Sequence, residues 1–316
     1  MDSGTIVDGA IFTFWVALLA YIGLFLASAA TRWQWVLRLG FVFDPLTKVC
    51  RLPKCCSFYF LMCAVNITSS LPTLSGFYKN GMLGGDRQVI TAILAGGLPV
   101  MIWYVFFFTG PIAIGLFGVR NGLYFLVVWL LIGIVQTTIG IGYSMIRLPR
   151  NFKDSGYEHP VEKTNFRVGI KDAFHESLGM AVTVFKILVP VVFLLYILVN
   201  SDLMDYVNQL LRPVAAVFPL QPEVMPIAIT GAFNIIVAFS MAQQLIVNGL
   251  GLTDAFMGLI VGMFIYNLFE IFHTLIPYNV AFFGSKLGLR VAIALFLSIA
   301  VSDFAVIMML WGAGSV

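Results

Sequence analysis

An apolar stretch at residues 222–248 that carries polar side chains in its middle constrains the fold of this chain most. The stretch is hydrophobic enough to enter a membrane, yet it contains Asn234, Ser240, Gln243 and Gln244. Hydrocarbon offers such groups no hydrogen-bonding partner, so burying them there is costly unless protein or water satisfies them. The polar interruption therefore needs a structural or functional reason.

The chain contains a second copy of this stretch at residues 54–80, which carries Asn66 in the position of Asn234. Ten positions match in order under a shift of 168 residues that becomes 166 after a two-residue slip. The pairs are Pro45 with Pro213, Asn66 with Asn234, Asn80 with Asn248, Gly81 with Gly249, Asp86 with Asp254, Pro111 with Pro277, Gly118 with Gly284, Arg120 with Lys286, Gly122 with Gly288 and Leu123 with Leu289. Most of these residues are Gly, Pro, Asn or Asp rather than interchangeable apolar types. The pattern indicates an internal repeat of about half the chain.

Composition identifies a polytopic membrane protein. Hydrophobic residues make up 60% and charged residues 10% of the 316 residues, and the mean hydropathy is +0.97. Such values lie far outside the range of soluble domains. The net charge of +3 is small and the basic residues are dispersed among loops, which argues against a nucleic-acid partner.

The hydrophobic pattern predicts the same order of elements in each half. Each half has a first span, a surface helix, an interrupted stretch, a second span, a break near a proline and a last span. The first half has these at 9–30, 33–48, 54–80, 88–108, 109–118 and 121–146, and the second at 177–200, 202–216, 222–248, 254–275, Pro277 and 289–312.

The basic residues decide whether the interrupted stretches cross the bilayer, since cytoplasmic loops are enriched in Lys and Arg. If both stretches cross, the 18 Lys and Arg divide into 9 inside and 8 outside, with Lys186 within a span. If each stretch enters, turns and leaves on the same side, 15 lie inside and only Arg120 and Arg212 lie outside. The charges therefore favour re-entrant hairpins, with the N-terminus outside and residues 147–167 in the cytoplasm.

Re-entrant hairpins leave three true spans per repeat, an odd number, so the second repeat is inverted relative to the first. We predict an all-α polytopic membrane protein with two inverted-topology repeats, each with three spanning helices, an interfacial helix and a re-entrant interrupted helix. The first repeat covers residues 1–146, a cytoplasmic linker covers 147–167, and the second repeat covers 168–316, all in one integral membrane domain. The two tips would approach the midplane from opposite faces and bring helix-end dipoles to one shared binding place.

The cysteines all fall in the first half, at Cys50, Cys55, Cys56 and Cys63. Their spacing matches no common zinc pattern, and the predicted topology turns them toward a reducing cytoplasm. We expect free thiols and assign no metal site and no cofactor. The alternative is a metal-handling cluster.

Three segments of the second repeat resemble the nucleoside-recognition or "gate" domain family. They are Thr230-Gly231 through Asn234, NGLGLTDA at 248–255 and FHTLIPYNVAFFGSKLG at 272–288. This domain occurs in the membrane part of ferrous-iron transporters, in spore-maturation membrane proteins and in uncharacterised archaeal membrane proteins. The resemblance extends more weakly to the first repeat and implies a two-gate, transport-like protein with gate residues at Asn66 and Asn234. It fixes no substrate, and the 147–167 linker is too short for the nucleotide-binding domain of iron transporters.

Four ionisable residues lie inside predicted spans, namely Lys186, Glu270, His273 and Asp303. An isolated charge at the bilayer centre costs at least ~2.5 kcal/mol, so these side chains should face the interior of the bundle. Glu270 and His273 are three residues apart on one helix face, with Asn267 one turn earlier. We predict that these three bind a cation, a proton or the polar part of a substrate. The alternative is that Lys186 pairs with Glu270 or Asp303 and only fastens helices together.

The repeat adds weight to Asp303, because the shift of 166 places Thr137 opposite it and Gln136 opposite Ser302. A polar pair that recurs at the same depth indicates a central cavity. Near the second tip, the amides of Gln243 and Gln244 either bind a ligand or cap the backbone freed at the break.

These features predict a membrane transporter or facilitator of a small polar or ionic solute that works by alternating access. Asn66, Asn234, Gln243, Asn267 and Glu270 are the predicted substrate-binding residues, and Glu270, His273, Lys186 and Asp303 are the predicted ion-coupling residues. The partners are the lipid bilayer and the solute, in a multi-pass protein of the cell membrane that could form a homo-oligomer. We find no enzyme signature and predict no catalytic residue. The alternatives are a non-transporting scaffold subunit of a membrane complex and a metal-dependent intramembrane enzyme.

Overall fold

The computed structural model describes residues 3–30, 39–149 and 222–314, together with ten single positions between 174 and 194. The described residues form helices joined by short turns, without strands. Three helical stretches among them are long and apolar enough to cross a membrane, namely Gly97–Arg147, Leu252–Glu270 and Ile276–Gly312. The chain is therefore an all-α membrane protein with several spanning helices.

The described part of the first half contains seven helices, a 3-10 turn and a π-helical turn. They are α1 (Ser3–Ala30), the 3-10 turn (Leu39–Phe43), α2 (Asp44–Val49), α3 (Cys55–Val65), α4 (Ile67–Lys79), α5 (Asp86–Ala95), α6 (Gly97–Trp103), the first π turn (Tyr104–Phe108) and α7 (Thr109–Arg147). The predicted surface helix at 33–48 is described only from residue 39.

The described part of the second half repeats this order from the interrupted stretch onward. It contains a 3-10 turn (Pro222–Val224), α8 (Met225–Phe233), α9 (Ile235–Val247), α10 (Leu252–Glu270), the second π turn (Ile271–Leu275) and α11 (Ile276–Gly314). The predicted surface helix at 202–216 lies outside the described residues, as does the span at 177–200 apart from single positions.

The matching elements of the two halves agree in length and backbone geometry. Helices α4 and α9 each have 13 residues, and α7 and α11 each have 39. Gly118 has φ 77° and ψ 167°, and Gly284 has φ 77° and ψ 168°. Residues with a Cβ atom rarely adopt such a positive φ, so both halves have glycine where the backbone requires it.

The chain reverses direction at Gly118 and at Gly284. A methyl group on Gly122 would lie 2.7 Å from the Cα of Ile114, and one on Gly288 would lie 2.5 Å from the Cα of Val280. Residues eight apart in one straight helix are separated by ~12 Å along the axis. The predicted break at 109–118 thus ends at the first reversal, whereas the second reversal lies beyond the predicted Pro277, because the helix continues past each proline to the glycine.

The first reversal pairs residues 86–117 with 119–147 as two antiparallel arms. Methyl groups on Gly133 and Gly140 would lie within 3.0 Å of the backbone of Leu98 and Ala95, respectively. Small residues allow this close approach of helices, which is the usual way in which helices associate in membranes. In the second half, a hydrogen bond between Asn267 and Asp303 joins α10 to the end of α11.

Two hydrophobic clusters join elements from opposite halves. One contains Phe117, Phe125 and Trp129 of α7 together with Phe239 of α9 and Phe256 of α10. The other joins α3 and α4 to α11 through a set of buried residues that includes Phe60, Leu74, Phe77, Phe283, Leu287 and Val291. Each interrupted stretch therefore packs against the long helical hairpin of the other half.

Candidate functional site: the two hairpins and the polar groups beside them

A single asparagine breaks each interrupted stretch. Asn66 separates α3 from α4 with φ −148° and ψ 90°, and Asn234 separates α8 from α9 with φ −157° and ψ 114°. These extended conformations end one helix and begin the next, with the asparagine as N-cap residue. Asparagine suits this position because its side-chain oxygen accepts hydrogen bonds from backbone N–H groups of the first turn.

The two caps differ in strength. The Oδ1 atom of Asn234 accepts from the N–H groups of Ile236 at 3.0 Å and Val237 at 3.3 Å. The Oδ1 atom of Asn66 accepts from the N–H of Ser69 at 3.4 Å, and also from the Thr68 hydroxyl at 2.6 Å. The second cap thus satisfies two backbone donors, whereas the first satisfies one at longer range.

Both interrupted stretches fold back at the asparagine. A methyl group on Gly231 would lie 3.6 Å from the Cβ of Ala238, although seven residues separate the two positions. In the first half, the Ser70 hydroxyl bonds the Cys63 thiol across the same interval. Since residues seven apart in one helix lie ~10 Å apart along the axis, both stretches are helical hairpins. We call α3–α4 the first hairpin and α8–α9 the second hairpin.

Both ends of the first hairpin contact segments that are distant in the sequence. Before the hairpin, the Arg51 guanidinium donates to the carbonyl oxygens of Leu148 at 2.7 Å and Met145 at 3.3 Å. After it, the Asp86 carboxylate lies 3.6 Å from the guanidinium of Arg290, shortly beyond the reversal at Gly284.

The first hairpin is held in part by polar contacts to α11. The Ser75 hydroxyl donates to the carbonyl oxygen of Phe282 at 2.8 Å, and the Tyr278 hydroxyl donates to that of Thr68 at 3.4 Å. The rings of Tyr78 and Phe283 also meet edge to face, with centroids 6.4 Å apart. Tyr278 thus links the second half to the tip of the first hairpin.

The second hairpin is held by stacked and edge-to-face aromatic rings. The Phe125 ring centroid lies 5.1 Å from that of Phe239 and 5.0 Å from that of Phe256. Phe117 completes the cluster at 5.8 Å from Phe239, and all four rings are buried. Such pairs contribute ~1 kcal/mol each beyond their burial, which fixes this hairpin firmly to α7.

In each half, a π-helical turn interrupts the arm that precedes the reversal. The Thr109 hydroxyl donates to the carbonyl oxygen of Tyr104 at 2.9 Å across the first turn. After the second turn, the amide of Asn279 donates to the carbonyl oxygen of Leu275 at 2.8 Å, while its own Oδ1 atom is buried without a partner. Turns of this kind occur often at functional sites because they redirect the side chains around them.

Glu270 lies at the start of the second π turn and acts across the interface between the halves. Its carboxyl group is close enough to influence the hydroxyls of Tyr104 in the first half and Tyr266 one turn earlier on its own helix. Sequence reasoning selected Glu270 but not the tyrosines. Tyr104 lies in a run of aromatic residues that resembles an ordinary lipid-facing surface, so the pattern gave no signal for it.

Asn267 and Asp303 form a buried pair between α10 and α11. The Asn267 amide donates to Asp303 Oδ2 at 2.7 Å, and the Asp303 side chain is 0% exposed. Its other oxygen, Oδ1, is buried without a hydrogen-bond partner, as is the hydroxyl of Ser298. The amide, rather than Lys186, is therefore the partner of Asp303.

The remaining predicted residues are spread over the elements around this pair. Gln243 is half-buried on α9, and Lys186 is exposed. His273 lies in the second π turn, and its side chain is outside the described part of the chain. The structure thus brings Asn267 to Asp303 but leaves Lys186 away from that carboxyl group.

The four cysteines form a buried group at the base of the first hairpin. Cys50, Cys55, Cys56 and Cys63 are free thiols with no exposed surface. Burial raises the pKa of the Cys50 thiol to about 12. Among the described residues, no group of three or more His, Cys, Asp or Glu side chains has a geometry that would hold a metal ion.

Comparison with known proteins finds relatives of unassigned function. The chain is 26% identical over 283 residues to the uncharacterized protein MJ0880 of Methanocaldococcus jannaschii, an alignment that covers 88% of this chain and 90% of the relative. The uncharacterized protein MJ0871 of that organism is 28% identical over 213 residues, which cover 65% of this chain and 64% of the relative. A third, MJ1556, is 22% identical over 271 residues, or 84% of each chain. No family model and no solved structure matches the chain.

Proposed function

We propose that this protein is a membrane transporter or facilitator of a small polar or ionic solute, working by alternating access between two inverted gate repeats. The two hairpins are re-entrant gates that enter from opposite faces. Their tips, at Asn66 and Asn234, border the path of the solute. The N-terminus is outside the cell membrane and the 147–167 linker is cytoplasmic.

The contacts at the two ends of the first hairpin carry this proposal. If both interrupted stretches crossed the bilayer, the count of spans would put Arg51 and Leu148 on opposite faces, and likewise Asp86 and Arg290. Both pairs are in contact, at 2.7 Å and 3.6 Å. The contacts therefore support a hairpin that enters and leaves on one side, as the distribution of basic residues favours.

An odd number of spans per repeat then inverts the second repeat, and the equal reversals at Gly118 and Gly284 support this symmetry. Each hairpin packs against the long arms of the other half. Rocking one half against the other would therefore change the surroundings of both tips together. This coupling is what alternating access requires.

The polar groups beside the hairpins have separate roles in this proposal. Asn66, Asn234, Gln243, Asn267 and Glu270 contact the solute, and Glu270, His273, Lys186 and Asp303 serve ion coupling. The electrostatic influence of Glu270 on Tyr104, across the interface of the halves, supports a polar path there. The resemblance to nucleoside-recognition gate domains is compatible with this role and leaves the solute open.

Flux through reconstituted vesicles tests the proposal. A thermal-shift screen of nucleosides, divalent cations and small organic anions first selects the compound that stabilises the purified protein most. We expect wild-type vesicles to take up this compound, and Asn234→Ala and Glu270→Gln to abolish uptake. Asn248→Ala is the matched control, because Asn248 is an exposed residue at the other end of α9.

Unchanged uptake in both Asn234→Ala and Glu270→Gln would refute the assigned path. Absence of uptake for every stabilising compound would favour the scaffold role, in which the hairpins only hold a complex together. A stoichiometric metal in the purified protein would instead favour the intramembrane enzyme.

A further inference from the structure

The carboxyl group of Asp303 is buried in a way that an ionised carboxylate does not tolerate. Its side chain is 0% exposed, Oδ2 accepts from the Asn267 amide at 2.7 Å, and Oδ1 has no hydrogen-bond partner among the described residues. A charge buried without a counter-charge or a full set of donors is strongly disfavoured. A neutral carboxylic acid removes this difficulty, because it carries its proton on one oxygen and accepts with the other.

The matching position of the first half supports a neutral group. Thr137 is buried at the equivalent depth of α7, and its hydroxyl accepts from the N–H of Leu98 at 2.7 Å and donates to the carbonyl oxygen of Ala95 at 3.1 Å. In the first half, a neutral side chain that both donates and accepts hydrogen bonds thus joins the arm after the reversal to the arm before it. A protonated Asp303 has the same capacity, whereas an ionised one can only accept.

Among the described residues, none supplies a positive charge to Asp303. Lys186 is exposed, and the one described polar group that acts on the carboxyl is the Asn267 amide. The elements packed against α11 carry other described ionisable groups, and none of these groups acts on Asp303. They are Tyr78 and Lys79 of α4, Asp86 and Arg87 of α5, Arg120, Tyr124, Tyr143 and Arg147 of α7, and Asp254, Tyr266 and Glu270 of α10.

We propose that Asp303 is a proton-binding site of the second repeat, occupied in the conformation described, and that it supplies the coupling ion of the transport cycle. The coupling role rests on the proposed function, whereas the bound proton rests on the geometry of Asp303 alone. The first repeat has no titratable group in the matching place, so the coupling is confined to the second.

The proton leaves when the arms of the second half separate and admit water. The O–H bond at Oδ1 breaks, the proton passes to water, and the electron pair remains on the carboxylate. The Asn267 amide and the admitted water then stabilise the charge. Closing the arms expels this water, so closure requires that a proton return from the side that is open. On the same helix, the hydroxyl of Ser298 is also buried without a hydrogen-bond partner among the described residues. It lies five residues before Asp303, or ~7.5 Å along the helix axis.

Infrared spectroscopy of the full-length protein tests the bound proton without any solute. We expect wild-type protein at neutral pH to show the carbonyl stretch of a protonated carboxyl group, shifted in heavy water and lost reversibly at alkaline pH. The variant D303N should lose this band, because its amide keeps the hydrogen bond from Asn267 without a titratable proton. D303T copies Thr137 and should lose the band as well, which guards against poor folding of D303N. D254N is the control and should keep it.

A wild-type spectrum without this band, or a band that survives in both D303N and D303T, would overturn the bound proton. Uptake of the selected solute tests the coupling role separately. We expect a pH gradient to change the wild-type uptake rate severalfold and to leave the D303N rate unchanged. A normal band with uptake that ignores the gradient would overturn the coupling role, and a normal band without any uptake would refute the transporter instead.

Discussion

Substitutions of Asn234 separate a capping role from a solute-binding role. Alanine at this position removes the acceptor of two backbone N–H groups, those of Ile236 at 3.0 Å and Val237 at 3.3 Å. Loss of an N-cap costs ~1 to 2 kcal/mol, and two lost bonds favour the upper half of this range. Serine keeps an oxygen in reach of the same donors, so Asn234→Ser should lose only a few tenths.

The first hairpin supplies the internal comparison. Asn66 satisfies one backbone donor at 3.4 Å, so Asn66→Ala should cost less, ~0.5 to 1 kcal/mol. The assay is the thermal melting midpoint in detergent, where each kcal/mol should lower the midpoint by ~2 °C in a chain of this size. We expect midpoints in the order wild type, Asn234→Ser, Asn66→Ala, Asn234→Ala.

Uptake measured on the same variants completes the test. If the amide of Asn234 contacts the solute, Asn234→Ser should fold normally and still lose uptake. If Asn234→Ser melted at as low a temperature as Asn234→Ala, helix capping alone would not explain why asparagine is needed at this position. Full uptake by Asn234→Ser would show that the cap explains it completely and that the amide has no part in the path.

Three further predictions test packing, topology and burial. Gly140→Ala should lower the free energy of unfolding by ~1 to 3 kcal/mol, because its methyl group would lie 2.4 Å from the backbone of the facing arm. Gly142→Ala meets nothing within 4 Å and should not destabilise the protein. Equal melting midpoints for the two variants would contradict this prediction. Lys286→Cys should react with an impermeant maleimide from the cytoplasmic side and Arg120→Cys from the outside, and labelling of both from one side would refute the inverted topology. Since burial raises the pKa of Cys50 from 9.0 to about 12, its thiolate is scarce in the folded protein. Alkylation at the pH where free thiols react should therefore await unfolding, and stability should fall as pH rises through this interval.

An asparagine inside an apolar stretch has few structural explanations, and in the structure each interrupted stretch breaks at its asparagine, Asn66 or Asn234. The sequence predicted the first break as the piece 109–118, which ends at Gly118, but placed the second at Pro277 instead of Gly284. Proline lacks the N–H that would bond the carbonyl four residues earlier, and that carbonyl lies within the π turn in both halves. The π turn absorbs the missing bond and the helix continues. Only the glycine can adopt the positive φ that reverses the chain.

Contacts between distant elements, within a half or between the halves, could not be predicted from sequence patterns. Helical periodicity placed Asn267 on one face with Glu270, and the repeat drew attention to Asp303, but neither gives the rotation of α11 against α10. The alternative partner for Asp303 was therefore Lys186, while the structure pairs the carboxyl with the Asn267 amide. Tyr278 and Thr68 are 210 residues apart, and no local signal links them.

The two hairpins differ in the kind of contact that holds each of them on the opposite half. The second would have to expose Phe239 from a fully buried aromatic cluster, at ~2 to 3 kcal/mol for each such ring. The first is tied to α11 through the hydrogen bonds of Ser75 and Tyr278, which water can replace at little net cost. Its Leu74 and Phe77 are also buried in one cluster with residues of α11, and exposing them would cost a similar amount for each side chain. Conformations that interconvert during a functional cycle differ by only a few kcal/mol. We therefore expect neither hairpin to leave the opposite half during the cycle, so that the two halves rock as units and the surroundings of both tips change together.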